Sequence, residues 1–459
     1  MKRLFRVSSV LLATALAACG GDGKNGDASS DAAFASHYQV PDTAPLLIRN
    51  GTLLDGAGNR LDETDILVVD GKIERIGSSL SAPRDARIVE AKGRFVTPGI
   101  IDVHSHLGVY ASPGVEAHSD GNEASSPNTA EVWAEHSVWP QDPGFSAALA
   151  GGVTAMQILP GSANLFGGRS VTLKNVFART VAEMKFPGAP YGLKMACGEN
   201  PKRVYGSRGS APSTRMGNMA GYRSAWIAAS AYRDKLVAAR DGKGEAPDRD
   251  LKLETLAGVL EGEILVHNHC YRADEMAMMI ELSKEFDYQI TAFHHAVESY
   301  KIADILAENN VCSAMWADWW GFKMEAYDGI LENVAFVDNA NACAIVHSDS
   351  DIGIQRLNQE TAKAMAAGRR AGLEITDAHA MQWITSNAAD ALGIGDQTGT
   401  LAEGLNADIV VWDRSPFSVY SRALHVYIDG QLMYDRSNDE AQPVTDFALG
   451  RVVSAGAGR

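Results

Sequence analysis

Cysteine is scarce in this sequence, and the few cysteines are not spaced as a metal or disulfide motif. The 459 residues include five, which are Cys19, Cys197, Cys270, Cys312 and Cys343. Because no two of them form a CxxC pair, the pattern indicates neither a zinc knuckle nor a disulfide framework. The last four lie in or beside apolar, strand-like segments, and we expect buried free thiols there.

Long apolar runs, short repeats and an excess of positive charge are also missing. After the N-terminal segment no apolar run reaches transmembrane length, and no repeat at a fixed short period is visible. Acidic residues outnumber basic ones by 57 to 41, which gives a formal net charge of −16. An acidic surface disfavours nucleic acids and anionic membranes as partners. The expected partner is a small-molecule substrate, and a homo-oligomer stays open.

The N-terminus has the features of an export signal. Three basic residues precede an apolar run that is too short to span a bilayer, so residues 1–18 are predicted to be a signal peptide. The stretch LAACG at 16–20 resembles a bacterial lipobox, in which the cysteine is lipidated; an ordinary signal peptide with an incidental cysteine is the alternative. Residues 19–43 are predicted to be a flexible tether. The resemblance implies an exported protein on the periplasmic side of the envelope, lipid-anchored at Cys19.

Two β-rich ends flank a long middle segment. Residues 44–96 and 397–437 contain short β-runs and hairpin turns, and we expect them to form one small composite β-sandwich. Residues 97–396 alternate apolar strands with amphipathic helices, which predicts an α/β protein with a parallel (β/α)₈ TIM-like barrel. Residues 438–459 are left as a C-terminal tail.

Seven barrel strands can be placed in the middle segment, and an eighth between Ser170 and Phe177 is a guess. The seven candidates are Gly99–His104, Val153–Leu159, Tyr191–Ala196, Glu263–His267, Tyr288–Phe293, Val311–Met315 and Cys343–His347. Helices follow several of them, and in one the apolar stripe of Met276, Met279 and Ile280 is typical of core packing.

Seven of the twelve histidines stand where a predicted barrel strand ends. They are His104, His106, His267, His269, His294, His295 and His347. The C-terminal ends of barrel strands open onto one face, where active sites are built. One such histidine is more often a hydrogen-bonded structural residue, but seven at equivalent places are hard to explain by packing. Since neutral imidazole is the commonest metal ligand, the pattern predicts a metal site.

The first strand and the last one supply the most specific part of this pattern. Alternation along a strand puts His104 and His106 on the same side, so both can reach one ion at the barrel mouth. Asp349, in the stretch AIVHSDSD, adds a carboxylate at that face. A metal polarises a carbonyl group and lowers the pKa of bound water, and a nearby carboxylate can take the proton. These are the parts of a hydrolase for amides or related C–N bonds.

Four motifs together resemble the amidohydrolase superfamily. They are VTPGIIDVHSH, the paired histidines after later strands, HSD near the end of the barrel, and GTLAEGLNADIVVWD. The resemblance covers residues 45–435 and points to the imidazolonepropionase-like and prolidase-like branch. It implies a metal-bearing (β/α)₈ barrel with a composite β-sandwich and one or two divalent ions per chain, with zinc as the expected metal.

The resemblance also implies a set of metal ligands. His104 and His106 match the pair that ligates the more buried metal. Asp349 matches the aspartate that binds metal and acts as the proton shuttle. Of the later pairs, His267 and His295 are the expected ligands.

The neighbours of these ligands have other expected roles. His269 faces the substrate as a catalytic residue, His294 points away, and His347 orients the aspartate. A bridging ligand between two metals is Lys194, in a carboxylated form, or Glu199. Lys194 could equally be paired to a carboxylate, and a single-metal site remains if neither bridges.

Three segments are expected to shape the substrate pocket. Glu123 belongs to the polar loop SDGNEASSPNTAEVW at 119–133, which either lines the site or is merely solvated. We expect one arginine, Arg203 or Arg215, to bind a substrate carboxylate, because the guanidinium fork suits that geometry. Trp320, with the other tryptophans of MWADWWGF, either walls an apolar subsite or packs under a loop.

The sequence therefore predicts a metal-dependent hydrolase of amides, dipeptides, N-acyl amino acids or cyclic amides. The rival enzyme is a single-metal hydrolase of the imidazolonepropionase or deaminase type, and metal content would separate the two. A non-catalytic ligand-binding lipoprotein is less consistent with the sequence, because every expected ligand type is present.

Overall fold

The structure is a computed structural model that describes residues 34–438. The predicted signal peptide, Cys19 and all but the first residue of the predicted tail lie outside the described residues. The described chain contains two eight-stranded sheets and ten α-helices.

The two ends of the chain build the first sheet together, as the sequence predicts. Its strands are β1 (Leu46–Leu54), β2 (Arg60–Val69), β3 (Lys72–Gly77), β4 (Arg87–Glu90) and β5 (Phe95–Pro98), with β14 (Ile409–Trp412), β15 (Ala423–Ile428) and β16 (Gln431–Asp435). β5 joins the ends, since it runs parallel to β1 and antiparallel to β14. Hydrogen bonds connect the predicted sandwich into a single sheet, which has a hydrophobic core of its own.

The second sheet is the barrel, and its strands pair in chain order. They are β6 (Ile100–Ser105), β7 (Val153–Ile158), β8 (Phe166–Lys174), β9 (Gly192–Ala196), β10 (Leu265–Cys270), β11 (Ala292–His295), β12 (Cys312–Met315) and β13 (Ala344–Val346). All seven placed candidates correspond to strands. A backbone hydrogen bond of 3.0 Å from Asp349 N–H to the His104 carbonyl connects the end of the barrel to its beginning.

The strand that was only a guess departs from the predicted parallel barrel. β8 runs antiparallel to both β7 and β9. The connection from β7 to β8 is a short loop over residues 159–165 without a helix. A loop of that length can join antiparallel strands, whereas a parallel pair needs a crossover of about a dozen residues. The barrel is therefore parallel except at its third strand.

Helices cover the barrel strands on the outside of the sheet. The ten are α1 (Pro143–Ala150), α2 (Glu199–Gly206), α3 (Arg215–Arg240), α4 (Leu251–Leu260), α5 (Ala273–Phe286), α6 (Ala303–Glu308), α7 (Asn333–Asn339), α8 (Leu357–Arg370), α9 (Asp377–Met381) and α10 (Ser386–Ala391). Short 3₁₀ helices lie at Glu116–His118, Ala134–His136, Val181–Glu183, Ser299–Lys301, Met324–Ala326, Gly353–Arg356 and Gln382–Ile384. Met276, Met279 and Ile280 of α5 are buried in the core, as their spacing predicts.

Two disulfide bonds replace the free thiols that the sequence suggested. Cys197 and Cys270 join the C-terminal ends of β9 and β10, with their Cα atoms 5.2 Å apart. Cys312 and Cys343 join the starts of β12 and β13, with their Cα atoms 4.4 Å apart. Each pair lies on neighbouring parallel strands, where residues distant in the chain come to the same level. Spacings of 73 and 31 residues carry no sign of this.

The predicted tether is too long at its C-terminal end. Ser36 Oγ donates to the Lys185 carbonyl at 2.7 Å, and the Tyr38 hydroxyl donates to Asp429 Oδ2 at 2.5 Å. These hydrogen bonds hold residues 36–38 on the folded domain, so this stretch cannot act as part of a flexible linker.

A buried lysine links the barrel to the first sheet. Lys174 Nζ, at the end of β8, lies 2.7 Å from Asp429 Oδ2 and 3.7 Å from Asp408 Oδ1. All three side chains are almost completely buried. Removing one partner of a buried ion pair leaves an uncompensated charge, which costs about 3–5 kcal/mol.

We expect Lys174→Met to lower the free energy of unfolding by about 3–5 kcal/mol, because both aspartates lose their counter-ion. Urea denaturation of the two proteins measures the difference. The matched control is Lys243→Met, since Lys243 is exposed and pairs with the exposed Asp241; its effect should stay below about 1 kcal/mol. An equal loss in both variants would contradict the structural role of Lys174.

Candidate functional site

Three ligand-type atoms meet at the C-terminal end of the barrel. His104 Nε2 and His106 Nε2 are 3.3 Å apart. Asp349 Oδ1 lies 3.4 Å from the first and 3.3 Å from the second. His104 is buried, whereas His106 and Asp349 are about one fifth exposed. These three residues thus combine the buried imidazole of His104 with two groups, His106 and Asp349, that a substrate can reach.

The turn after β13 is anchored to β6 by a buried carboxylate. Asp102 accepts hydrogen bonds from the Ser348 N–H at 3.2 Å, from the Ser348 hydroxyl and from the His104 N–H at 3.1 Å. Burial raises the pKa of Asp102 to about 7, although these hydrogen bonds oppose the shift. Asp102 was not predicted from the sequence, but strand alternation gives a signal, because Asp102 and His104 share one side of β6, in phase with His106 just after it.

His106 and Asp349 are each held in an orientation that suits ligation. The His106 Nδ1 atom is 2.8 Å from the Leu159 carbonyl. A carbonyl only accepts, so Nδ1 carries the proton and Nε2 keeps a lone pair facing the other two atoms. Asp349 has a left-handed backbone, with φ of 49°. Such a conformation is uncommon for a residue with a side chain and is concentrated at functional sites.

A second group of nitrogens lies beside the first. His104, His295 and His347 offer ligand atoms that lie within 4.8 Å of one another. His295 Nδ1 is 3.7 Å from Asp349 Oδ2. The backbone N–H of His295 donates a hydrogen bond to His347 Nε2 at 3.2 Å. The Trp316 ring stacks on the His295 ring with centroids 4.3 Å apart.

His294 does not point away from the site, so that expectation is wrong. Its Nδ1 is 2.9 Å from His104 Nδ1, and its Nε2 is 2.9 Å from His267 Nδ1. The backbone turns at His295, with φ of 70°, so simple alternation no longer separates the two neighbouring rings.

This three-histidine chain restricts which nitrogens can ligate. Each of its two hydrogen bonds needs one proton, and a neutral His294 donates one bond and accepts the other. Therefore only one of His104 Nε2 and His267 Nε2 keeps a free lone pair while His294 is neutral. His104 belongs to both ligand groups, whereas His267 belongs to neither. The predicted ligand His267 is thus separated from His104 by the ring of His294, which is hydrogen-bonded to both.

His269 lies at the opposite side of the cluster, next to α2. Its ring is 4.6 Å from the rings of His295 and Tyr271. Its Nε2 is 3.4 Å from Asn200 Nδ2. Asn200 in turn accepts a 3.0 Å hydrogen bond from Lys323, whose ammonium sits 4.3 Å from the centre of the Tyr271 ring. Asn200, Tyr271 and Lys323 were not predicted from the sequence, because no local motif marks them.

Burial keeps six histidines of the site neutral. It lowers the pKa of His267 and of His347 to about 3, with the positive charge of Lys194 as a smaller cause. The pKa values of four further histidines lie well below the usual range for the same first reason; they are His104, His269, His294 and His295. Neutral imidazole is the form that binds a metal.

The two candidates for a bridging ligand differ in position. Lys194 is fully buried, donates to the Pro160 carbonyl at 3.0 Å, and has a pKa lowered by burial to about 7. It also influences the pKa of His104 and the other cluster histidines. Glu199 begins α2, is a quarter exposed and lies 3.3 Å from Lys323 Nζ. The structure thus places buried Lys194 beside His267 on the neighbouring strand and engages Glu199 in an ion pair with Lys323.

The donor set fits a divalent metal. Four buried ring nitrogens have no hydrogen-bond partner within residues 34–438, namely His267 Nε2, His269 Nδ1, His295 Nδ1 and His347 Nδ1. With His104 Nε2 as a ligand, the other ring nitrogens of His267, His269 and His347 accept hydrogen bonds, so three of these four atoms carry a proton. His295 Nδ1 is the one that can offer a lone pair beside His104, His106 and Asp349, and a buried polar atom without a partner costs free energy unless a ligand contacts it. Imidazole nitrogens with one carboxylate are the donors that zinc takes in catalytic sites.

Of the two arginines expected to bind substrate, Arg215 is already occupied. Its guanidinium lies 2.9 Å from Glu275 and 2.7 Å from Glu325, so two protein carboxylates neutralise it and it cannot serve as predicted. Arg203 is exposed on α2. It remains available to a substrate carboxylate.

The other two residues that were expected to contact the substrate, Glu123 and Trp320, lie in different surroundings. Glu123 lines a cavity of about 400 Å³, together with Asn122, Trp133 and Pro160. Trp320 packs on Gly329, and it is Trp316 that contacts the histidine cluster. The reason is position along the chain, since Trp316 directly follows β12 at the barrel mouth.

In the stretch from residue 34 to residue 438, no helix is sufficiently long and apolar to cross a membrane.

Comparison with known proteins identifies relatives of this chain. A crystal structure of an amidohydrolase from Thermotoga maritima is 35% identical, covers 85% of this chain and all of that one, and superposes with a TM-score of 0.79. An amidohydrolase of Hapsidospora irregularis is 35% identical over 400 residues, which are 81% of this chain and 40% of that protein. A dihydroorotase of Geotalea daltonii is 34% identical over 128 residues, 28% of this chain and 24% of that protein.

A family model of amidohydrolases matches residues 352–434. The chain spans less than half the length of the curated relatives it matches, whereas it covers the whole of the Thermotoga protein. The identity and superposition over that full length support the predicted class of hydrolases acting on C–N bonds, and we conclude that the chain belongs to the amidohydrolase family.

Proposed function

We propose that this protein is a metal-dependent hydrolase of amide C–N bonds, with zinc as the metal. Dipeptides, N-acyl amino acids and cyclic amides are the candidate substrates. The observation that carries the proposal is the meeting of His104 Nε2, His106 Nε2 and Asp349 Oδ1 within 3.4 Å of one another at the barrel mouth. The relatives' names support the reaction class.

The protein's own groups divide the work of such a reaction. His104 and His106 would hold the cation, together with Asp349. A bound divalent cation polarises a carbonyl group and lowers the pKa of water. Asp349 is the group placed to accept the proton from water and to pass it to the leaving nitrogen, because it is the exposed carboxylate of the cluster. Its second oxygen lies 3.7 Å from His295 Nδ1, and the backbone hydrogen bond from Asp349 N–H to the His104 carbonyl holds the residue in place.

The mouth also offers an apolar and a cationic side to the substrate. Trp319 and Phe322 are 47% and 50% exposed, and both rings pack against Trp316. Exposed aromatic groups beside a polar centre commonly contact a ligand. We assign them to an apolar part of the substrate and Arg203 to its carboxylate, if it carries one.

The protein is further proposed to be exported and lipid-anchored at Cys19. Its two disulfide bonds support this, because disulfides persist in oxidising compartments and are rare in the cytosol.

We expect Asp349→Asn to lower kcat at least about 100-fold, because the amide cannot accept the proton. The assay is steady-state hydrolysis by the zinc-loaded enzyme of the best substrate among dipeptides, N-acetyl amino acids and cyclic ureides. The matched control is Asp351→Asn, two residues along in an exposed position, which should retain activity. Full activity of Asp349→Asn would refute the mechanism.

The number of metal ions depends on the bridging group. We expect about two equivalents of zinc in the wild-type protein, fewer than about 1.5 in Lys194→Met and no change in Glu199→Gln, because Lys194 is buried next to His267 on the barrel sheet, whereas Glu199 is paired with Lys323. Elemental analysis after dialysis against zinc measures this. The opposite result would assign the bridge to Glu199, and one equivalent in all three proteins would favour the single-metal alternative.

Cys19→Ala should move the protein from the membrane fraction to the soluble periplasmic fraction and abolish labelling by radioactive palmitate, because the lipid attachment site is lost. Equal membrane association of both proteins would contradict the anchor.

A further inference from the structure

Tyr110 stands at the barrel mouth beside His106, one of the groups that we expect to hold the metal. Its ring meets the His106 ring edge-on, with centroids 5.7 Å apart. Tyr110 is 37% exposed, so a substrate can contact it.

Asn122 determines which hydrogen bond the phenol can make. Asn122 Nδ2 donates to the Tyr110 oxygen at 2.6 Å, while its Oδ1 accepts the Ala163 N–H at 3.1 Å. Because a backbone N–H only donates, the carbonyl end of Asn122 must face Ala163 and the NH₂ end must face the phenol. The Tyr110 oxygen is therefore an acceptor in this contact, and its own proton is left unused by Asn122.

The surrounding backbone packs closely on both side chains. A Cβ atom on Gly121 would lie 2.2 Å from the Tyr110 ring, and one on Gly161 would lie 2.1 Å from Asn122 Nδ2. The backbones of Gly121 and Gly161 are themselves hydrogen-bonded to each other. A side chain at either position would displace the Tyr110 ring or the Asn122 amide from its present place.

The same loops border open space next to the histidine cluster. The cavity of about 400 Å³ is lined by Asn122 and Pro160, among others. The carbonyl of Leu159, next to Pro160, contacts His106 Nδ1, so the cavity adjoins the strand end that holds the cluster. A volume of this size is in the range of small-molecule sites. Neither Tyr110 nor a cluster histidine lines the cavity, so it could hold only a part of the substrate away from the reacting group.

We infer that the Tyr110 hydroxyl donates a hydrogen bond to the oxygen of the scissile carbonyl group, and that Asn122 positions it. Within residues 34–438, the hydrogen bond from Asn122 is the one contact that engages this hydroxyl. A fixed donor aimed at an oxygen that gains negative charge stabilises the transition state more than the substrate. This role rests on the proposed amide hydrolysis and adds a catalytic residue to it.

The test compares Tyr110→Phe with the wild type, both loaded with zinc, on the substrate found in the panel above. We expect kcat to fall about 100-fold with KM changed less than about threefold, and with zinc content and melting temperature unchanged. Tyr420→Phe is the matched control, since Tyr420 is 74% exposed on the first-sheet side of the chain, outside the site; it should behave as the wild type.

Asn122→Asp tests the positioning directly. A carboxylate at this place would accept the phenol proton instead of donating to the oxygen, so kcat should fall nearly as far as in Tyr110→Phe although the hydroxyl is still present. A merely structural Asn122 would change the melting temperature and not separate kcat from KM.

The outcomes distinguish this inference from the function on which it rests. If the wild type hydrolyses a substrate and Tyr110→Phe keeps its kcat, the role of Tyr110 is wrong and the proposed function stands. If the zinc-loaded wild type hydrolyses no member of the panel, both are overturned.

Discussion

The junction between the last barrel strand and the first is the contact on which the rest of the site depends. Buried Asp102 on β6 accepts two hydrogen bonds from Ser348, 246 positions further along the chain. The neighbouring Asp349 then donates its N–H to the His104 carbonyl. These bonds join the two ends of the barrel and, through the left-handed backbone of Asp349, turn its carboxylate towards both imidazoles. Without them the ligand atoms would belong to separate loops.

Burial is the second cause that unites the site. It keeps the clustered histidines neutral and lowers the pKa of Lys194 to about 7, since a charged form in a desolvated position is costly. The same burial leaves several ring nitrogens without a hydrogen-bond partner in the described chain. Buried polar atoms without partners destabilise the folded state, and a ligand that contacts those atoms stabilises it. Stability and metal binding are therefore linked through the same residues.

Several parts of this arrangement follow from local patterns, and several do not. Apolar strands alternating with helices predicted the barrel, short β-runs at both ends of the chain predicted its companion sheet, and alternation along the first barrel strand placed His104 and His106 on one side. The direction of β8 was missed because the strand was guessed to begin at Ser170, whereas it begins at Phe166, and this hid how short the preceding loop is. His294 was misplaced because the backbone of His295 breaks the alternation on which the expectation relied. Arg215 was misjudged because its partners, Glu275 and Glu325, are far away in the chain.

The sequence by itself determined the residue types, their phase along each strand and the end of the strand at which they stand, because these depend on neighbours within a few positions. Only the tertiary structure decided which strand ends face one another, which cysteines pair and which ring nitrogens come within reach of Asp349. Those outcomes depend on strand direction, register and barrel closure. Each of these is set by contacts between distant segments, for which a local pattern has no signal.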